Sequence, residues 1–414
     1  MPSDDVEVVV IGGGAAGIAA ARRLCAASVP CLLVEARPRL GGRGYTVIDE
    51  AGFALDLGCG WLHSADRNPW VAVAQEQGAT IDKSVPPWQR RSLEIGFPLA
   101  DQDDFQQAFR SFFSRVSEAA EGKRDVPASS LLEPSGRWNG LISALGTYIS
   151  GGELECLSVK DFDRYEDTGV NWRIVSGLGS VIRDAGAGLP AALDCPVHRV
   201  DHSGKRLRIE TAKGAITTDR AIIAVPSTIL ADEQIVFMPT LPRKTQAAAG
   251  LPLGLNDKLF MSLDHAEEFG SDLRVFGHTD RAATAAYQFR PFGRPMIEAY
   301  FGGRLAQELE SQGNDAFFRF AVSELTHVFG NDFTRRLKPI RIHPWGVDPF
   351  ARGSYSFALP DCADGRAVLA EPVDKRLFFA GEACSAHDFS TAHGAWHTGV
   401  AAADGVIAAR RSLP

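Results

Sequence analysis

A chain of 414 residues is longer than one hydrophobic core usually supports, so two domains are expected, and its 45% apolar content is ample for both. A formal net charge of -8, with no basic run, argues against a nucleic-acid or anionic-membrane surface. Seven scattered cysteines, odd in number and never in C-x-x-C, suggest neither a disulfide framework nor a zinc site, which favours a reducing compartment. The acidic start Met1-Pro2-Ser3-Asp4-Asp5 leaves no room for a secretory leader, and no apolar run reaches the ~20 residues of a membrane span, so a cytoplasmic protein is expected.

The first predicted element is an apolar strand over 6–11 that runs straight into Gly12-Gly13-Gly14-Ala15-Ala16-Gly17. An alanine-rich helix follows, then a second apolar run closed by Glu35, which completes a dinucleotide-binding G-x-G-x-x-G unit within its usual ~30 residues. Gly12 permits the tight turn, Gly14 lets backbone approach a pyrophosphate, and Gly17 lets helix and strand pack closely. The helix start, at Ala15 and Ala16, offers unpaired N–H groups to the anion, and Glu35 is placed to accept from a ribose. The turn-rich segment Ala36-Arg37-Pro38-Arg39-Leu40-Gly41-Gly42-Arg43 either neutralises phosphate or faces solvent; the glycine pair beside Arg43 favours phosphate. A strand over 53–57 then enters the glycine-rich turn Gly58-Cys59-Gly60-Trp61-Leu62-His63.

Together, G-x-G-x-x-G with E-A-R and L-G-G-R, followed by D-x-G-x-x-W-x-H, resemble the opening of the flavin-dependent amine oxidase family, which includes monoamine oxidases, polyamine oxidases and histone-lysine demethylases. The resemblance implies FAD rather than NAD, places Gly58 and Trp61 near the flavin ring, and adds Cys59 and Gly60 to the residues expected to bind the cofactor. Phytoene desaturases, protoporphyrinogen oxidases and L-amino-acid oxidases share this opening, so it speaks to cofactor more than to substrate.

Residues 81–171 change character. Phe105, Phe109, Phe112, Phe113 and Val116 recur at helical spacing and predict one apolar face, more in keeping with core than with a substrate lining. Glu153, Glu155, Asp161, Asp163, Glu166 and Asp167 form an acidic cluster that either selects cationic amines or is a solvated face. Gly177 and Gly179 precede a helix and resemble the family's glycine turn, although the family ordinarily has adjacent glycines. Strands are expected at 196–200, 207–211, 215–218 and 221–225, and the resemblance gives Val197 the adenine contact. Lys258 heads an alternating apolar strand; by pattern it is a solubilising edge lysine, and by resemblance the lysine that holds water against flavin N5, with a pKa lowered by burial. Strand 296–301 and a helix around Phe317 and Leu325 complete the insert.

The segment Trp345-Gly346-Val347-Asp348-Pro349-Phe350-Ala351-Arg352-Gly353-Ser354-Tyr355 resembles the family's W-x-x-D-P-x-x-x-G-S-Y, in which the Trp packs on flavin and the Tyr forms an aromatic wall. Ser354 stands where animal monoamine oxidases carry a flavin-bonded cysteine, which implies non-covalent FAD. A buried strand ends in Gly381-Glu382, and Thr391-Ala392-His393-Gly394-Ala395 opens the last helix, resembling the family's closing FAD motif. Thr391 in place of an aromatic residue implies an incomplete cage. His393 and His397, four apart without the acid of H-E-x-x-H, are not expected to bind metal.

The expected fold is α/β, a two-domain FAD-binding Rossmann-type fold, glutathione-reductase-like, with an interleaved α+β substrate domain. The FAD domain is expected at 1–80, 172–250 and 346–414, and the substrate domain at 81–171 and 251–345. The expected activity is FAD-dependent amine oxidation: hydride passes from the amine α-carbon to flavin N5 and O2 is reduced to H2O2, with Lys258, Tyr355 and Trp345 carrying it. A desaturase or protoporphyrinogen-oxidase chemistry, a non-catalytic flavoprotein, and a homodimer are left open.

Overall fold

The computed structural model describes residues 5–411; Met1, Pro2, Ser3 and Asp4 lie outside the described residues. Strand β1 (Asp5–Ile11) lies between β2 (Cys31–Val34) and a ten-residue strand, Gly214–Ile223, all parallel. Parallel strands covered on both faces read as continuous apolar runs, and Val8, Val9 and Val10 are fully buried. Val8 and Val10 enter a core with α1 (Ala15–Ala26) and the C-terminal helix Ala392–Arg411, while Val9 and Ile11 face a second core with Ile209, Leu377 and Phe379. The sheet has eight strands and continues through Leu207–Thr211, Val197–Asp201 and Val236–Met238 on one side and Ala191–Ala192 on the other. Leu377–Phe379 adds in parallel along residues 221–223.

Residues 215–218 and 221–225, expected as separate strands, belong to one strand, Gly214–Ile223. The polar pair between them does not make a turn because each member finds a partner: Asp219 accepts from Arg206 at 2.8 Å, and buried Arg220 donates to the Ala409 carbonyl.

A second sheet is antiparallel throughout, in the order Leu273–Phe276, Ala286–Phe289, Met296–Gly302, Asn256–Leu263, Leu337–Ile342. The period of two sorts its side chains. Leu259, Met261, Val275, Tyr287, Ile297 and Ala299 pack under the helices Gly303–Ser311 and Asn314–Phe329. Lys258, Arg274, Gln288, Glu298 and Tyr300 point the other way, toward a cavity. Across that cavity lies a helical layer, Leu99–Ala120, Asn139–Ser150 and Val159–Arg164, clustered around Phe105, Phe112 and Leu141. Lys258 is not at a sheet edge, since strands flank Asn256–Leu263 on both sides, and it is buried. The solubilising alternative is therefore withdrawn. No described helix is long and apolar enough to cross a membrane.

Candidate active site

A single cavity of about 1160 Å³ runs from the carboxyl ends of β1 and β2 to the space between the second sheet and the helical layer. The ends of parallel strands at a strand-to-helix turn are the expected place for a ligand in an open α/β sheet. Every residue expected to bind cofactor lines this cavity except Gly17. Gly17 lies behind the wall, where a Cβ would stand 1.8 Å from the Gly12 carbonyl oxygen, so its contribution is the close packing of α1 on β1. Gly12 has φ +104°, and a Cβ there would meet the Ala224 carbonyl at 2.5 Å. At Gly14 the nearest atom to an added Cβ is 3.8 Å away, leaving backbone open to a ligand beside the N-terminus of α1.

Glu35, buried at the end of β2, accepts from the backbone N–H of Gly13 at 2.6 Å and of Arg37 at 2.8 Å, which fixes its carboxylate at the cavity rim beside Ala36 and Val197. Of the three arginines in the segment 36–43, Arg39 donates to the carbonyls of Leu40 and Gly42 at 3.3 and 3.0 Å, while Arg37 and Arg43 line the cavity and already carry acids. Arg37 bonds Asp348 at 2.9 Å and Arg43 bonds Glu382 at 2.9 Å, each across 300 residues or more of chain. Burial opposes the Asp348 charge, but His343 and Arg37 outweigh it and hold the carboxyl well below the usual carboxylate range. The cavity can nonetheless accept a dinucleotide: glycine backbone, a helix start and the Glu35 carboxylate lie along one wall.

At the far end Trp345 is buried against Gly58, where a Cβ would lie 3.2 Å from the indole, and its Nε1 donates to the Leu57 carbonyl at 2.9 Å. Buried Asp257 accepts from the Trp345 main-chain N–H at 3.0 Å, so the residue is held through both its backbone and its indole. Lys258 donates to the Asp56 carbonyl at 3.1 Å and pairs with Glu298 at 3.1 Å. The predicted lowering of its pKa does not hold. Burial does push the ammonium down, but Glu298, Tyr300 and Asp56 overcome it and raise the group to about 12, so Lys258 stays charged near neutral pH. Tyr355 donates to the Tyr148 carbonyl at 2.6 Å and accepts from the Asn256 amide, with the Tyr300 hydroxyl at 3.3 Å. Burial and Tyr300 hold its pKa well above the ordinary phenol value, so both tyrosines present neutral rings.

The Asp56 carboxylate accepts from Leu178 at 3.0 Å and Gly179 at 3.2 Å, capping the helix Leu178–Ala185. The spaced Gly177 and Gly179 therefore still make the turn. An added Cβ at Gly177 would meet Thr46 at 2.4 Å and one at Gly179 the Tyr45 N at 2.5 Å.

Glu382 follows the strand Leu377–Phe379 and accepts from Ser356 Oγ at 2.6 Å and the Ser390 N–H at 3.0 Å. Burial disfavours its charge, yet Arg43, Ser356 and Arg366 hold the pKa below the ordinary value. Thr391 caps the last helix, accepting from the Gly394 N–H at 3.0 Å, which places Ala392 and Ala395 on the cavity wall. Asp388 lies 3.3 Å from both His393 and His397. Burial pushes the His393 imidazole down to about 4 against the pull of Asp388. A folded pKa below the unfolded value of about 6.5 gives stability that is complete above that pH and is lost as pH falls toward 4; the full shift corresponds to about 3 kcal/mol. Denaturant unfolding of wild type and His393→Gln across that window should show a shallower acid loss in the variant; equal slopes would reject the assignment.

Other expectations are corrected. The phenylalanine stripe of Leu99–Ala120 is both core and lining: Phe112 is core, while Phe105, Phe109 and Phe113 reach the cavity. The acidic cluster is split. Asp161 is bound by buried Arg366 at 2.6 Å, Glu166 pairs with Arg67 at 3.0 Å, and only Asp161, Asp163 and Asp167 of the six line the cavity. Glu298, Tyr300, Tyr148 and Arg274 went unnoticed in the sequence, although Glu298 and Tyr300, alternating within an apolar strand, carried the signal.

A family model for flavin-containing amine oxidoreductases matches residues 15–114 and 92–407. Polyamine oxidase 2 of Arabidopsis thaliana is 29% identical, over 98% of this chain and 88% of that protein. Probable polyamine oxidase 4 of the same plant is 30% identical, over 95% and 86%. Lysine-specific histone demethylase 1 homolog 3 of Oryza sativa subsp. japonica is 28% identical over 96% of this chain but 54% of that protein. Among solved structures, a putrescine oxidase variant redesigned in cofactor binding superposes with a TM-score of 0.77 at 17% identity, covering 98% of this chain and 99% of its own, a likeness of fold. The glycine turn, the Trp345 and Tyr355 walls and a match running nearly the length of the chain lead to one statement: this protein belongs to the flavin-containing amine oxidoreductase family.

Proposed function

We propose that the protein binds FAD non-covalently and oxidises a small amine to an imine, which hydrolyses to an aldehyde or ketone, with O2 as acceptor and H2O2 as product. The bound flavin would supply the hydride acceptor. Glu35 and Val197 would hold the adenosine, with Gly12, Gly14, Ala15 and Ala16 at the pyrophosphate and Arg43, Gly58, Cys59, Gly60, Trp61, Gly381, Glu382, Thr391, Ala392 and Ala395 toward the ring. A cofactor domain and a substrate domain, divided near residues 80, 172, 250 and 346, are part of the same proposal.

The observation that supports this reading is the convergence of Trp345, Lys258, Tyr300 and Tyr355 on one end of the long cavity. Lys258 has two of its three N–H donors engaged, by Asp56 and Glu298, which leaves one to hold a water molecule. Tyr300 and Tyr355 would flank the substrate nitrogen with ring faces and exclude water from the C–H to be broken. Ser354 cannot form a thioether, and its hydroxyl is committed to the Asn256 backbone, accepting at 2.9 Å and donating at 2.8 Å. Acid precipitation should therefore release all the flavin as free FAD; yellow colour retained in the pellet would contradict this.

Anaerobic mixing of the FAD-loaded protein with mono-, di- and polyamines, amino acids and a porphyrinogen tests the activity. Bleaching of the flavin by an amine, followed by H2O2 on admission of air, is expected. Bleaching by the porphyrinogen alone, or by nothing in the panel, overturns the proposal.

A further inference from the structure

The cavity wall carries two cations from the second sheet, and they are treated differently. Lys258 is neutralised by Glu298. Arg274, on the edge strand Leu273–Phe276, has no acid within ion-pair range among the described residues. Its only side-chain hydrogen bond there is from Nε to Ser92 Oγ at 3.2 Å, and its guanidinium stacks over Phe276 at 4.7 Å. The terminal nitrogens are left to the cavity, which Arg274 lines together with Phe276, Phe105 and Tyr148.

Arg274 is half-buried, and other buried or half-buried arginines are satisfied by acids or by main-chain carbonyls, Arg39 by those of Leu40 and Gly42 and Arg220 by that of Ala409. Arg37, Arg43, Arg173 and Arg366 each hold a carboxylate at 2.9 Å or less. Arg290 and Arg294 are held by main-chain carbonyls. Burial without an acid pushes the Arg274 guanidinium down to about 10, partly offset by Tyr148, yet it remains charged near neutral pH. A desolvated cation without a counter-ion is costly, and a planar fork of donors fits a carboxylate in two-pronged fashion.

We propose that Arg274 binds a carboxylate and that the substrate is an amine bearing that carboxylate several bonds from the nitrogen that is oxidised. This rests on the amine-oxidase reading above. The spacing follows from the sheet. Arg274 and Lys258 stand on strands three apart in order, roughly 14 Å at ordinary strand spacing. Lys258 leans onto Glu298 and Asp56, while Arg274 is anchored to Ser92, so the two cations do not converge on one carbon. Between them this face of the sheet carries Gln288 and Glu298 in one row and Ala286 and Tyr300 in the next, and the apolar lining that suits a methylene chain comes from Phe276 and, across the cavity, from Phe105 and Phe109.

The test uses the FAD-loaded full chain with ω-aminocarboxylates of increasing length, their methyl esters and the matching amines without a carboxyl group. Apparent Kd comes from saturation of anaerobic flavin reduction, and independently from perturbation of the flavin spectrum by unreactive straight-chain carboxylates and their esters. The acid of best length should bind at least about tenfold tighter than its ester. Arg274→Gln should abolish that preference with the limiting reduction rate kept within about twofold, and Arg274→Lys should retain part of it. Equal affinity for acid and ester in the wild type, or a preference unmoved in Arg274→Gln, overturns the inference. Should no amine reduce the flavin, the amine-oxidase reading fails, while the spectral titration with unreactive carboxylates still decides Arg274.

Discussion

Replacing Lys258 by Met is expected to slow flavin reduction or reoxidation at least about tenfold, in the range that a positioned proton donor or water-holding group contributes. The substitution takes away the ammonium that lines the cavity and leaves Glu298 facing it without that cation. Separate stopped-flow measurement of the two half-reactions, with FAD content and circular dichroism as controls for folding, distinguishes this from loss of the protein. Rates within about twofold of wild type would remove the proposed role. A companion change separates charge from position. Glu298 is the leading influence raising the Lys258 pKa, so Glu298→Gln should lower it from about 12 and bring deprotonation of Lys258 to lower pH. Lys258 loses its charge as pH rises through its pKa, so the alkaline limb of the rate profile should move toward neutrality in Glu298→Gln and vanish in Lys258→Met.

Arg366→Met is expected to cost about 3–5 kcal/mol of folding stability, the usual penalty for removing one partner of a buried ion pair. Arg366 and Asp161 are 1% and 2% exposed and joined by two hydrogen bonds of 2.6 and 2.8 Å. Removing the arginine strands the Asp161 carboxylate on the cavity wall, where among the described residues only the Ala358 N–H at 2.9 Å remains to it. Urea unfolding should show the loss, and a double variant, Asp161→Leu with Arg366→Met, should recover much of it because no charge is left unpaired. A double variant as weak as the single would mean that the cost lies elsewhere. Arg366 also donates to Ser356 Oγ at 2.9 Å, and Ser356 to Glu382, so FAD affinity should fall in the single variant as well.

What was legible in the sequence was local. The turn from Gly12 to Gly17 declares itself because glycine spacing, the strand before it and Glu35 after it all lie within one supersecondary unit. Trp345 and Tyr355 could be found for the same reason: they share one short segment. What was not legible depends on pairing between distant segments. Asp161 and Arg366 are 205 residues apart, and nothing near Asp161 distinguishes it from the solvated acids around it. The error over Lys258 has the same origin. Burial was foreseeable from its apolar strand, but Glu298 reaches it only through the register that sets Lys258 opposite Tyr300 and Phe260 opposite Glu298. Arg274 stood in an ordinary alternating strand, and its lack of an acid partner is a property of three dimensions.

The ten-residue strand Gly214–Ile223 has a bearing on how the protein is made. Its first half pairs with Leu207–Thr211 and its last three residues with Leu377–Phe379, while β1 runs along its other edge. On the ribosome, β1, β2 and their glycine turn emerge before the hairpin from Leu207, which can close as soon as it is synthesised. The strand Leu377–Phe379 and the wall from Gly381 to Ala395 are synthesised long after it, and Arg43 waits 339 residues for Glu382. The cofactor pocket is thus not enclosed until these later segments arrive, and until then the nascent sheet exposes an unpaired edge at residues 221–223, the kind of edge that chaperones shield.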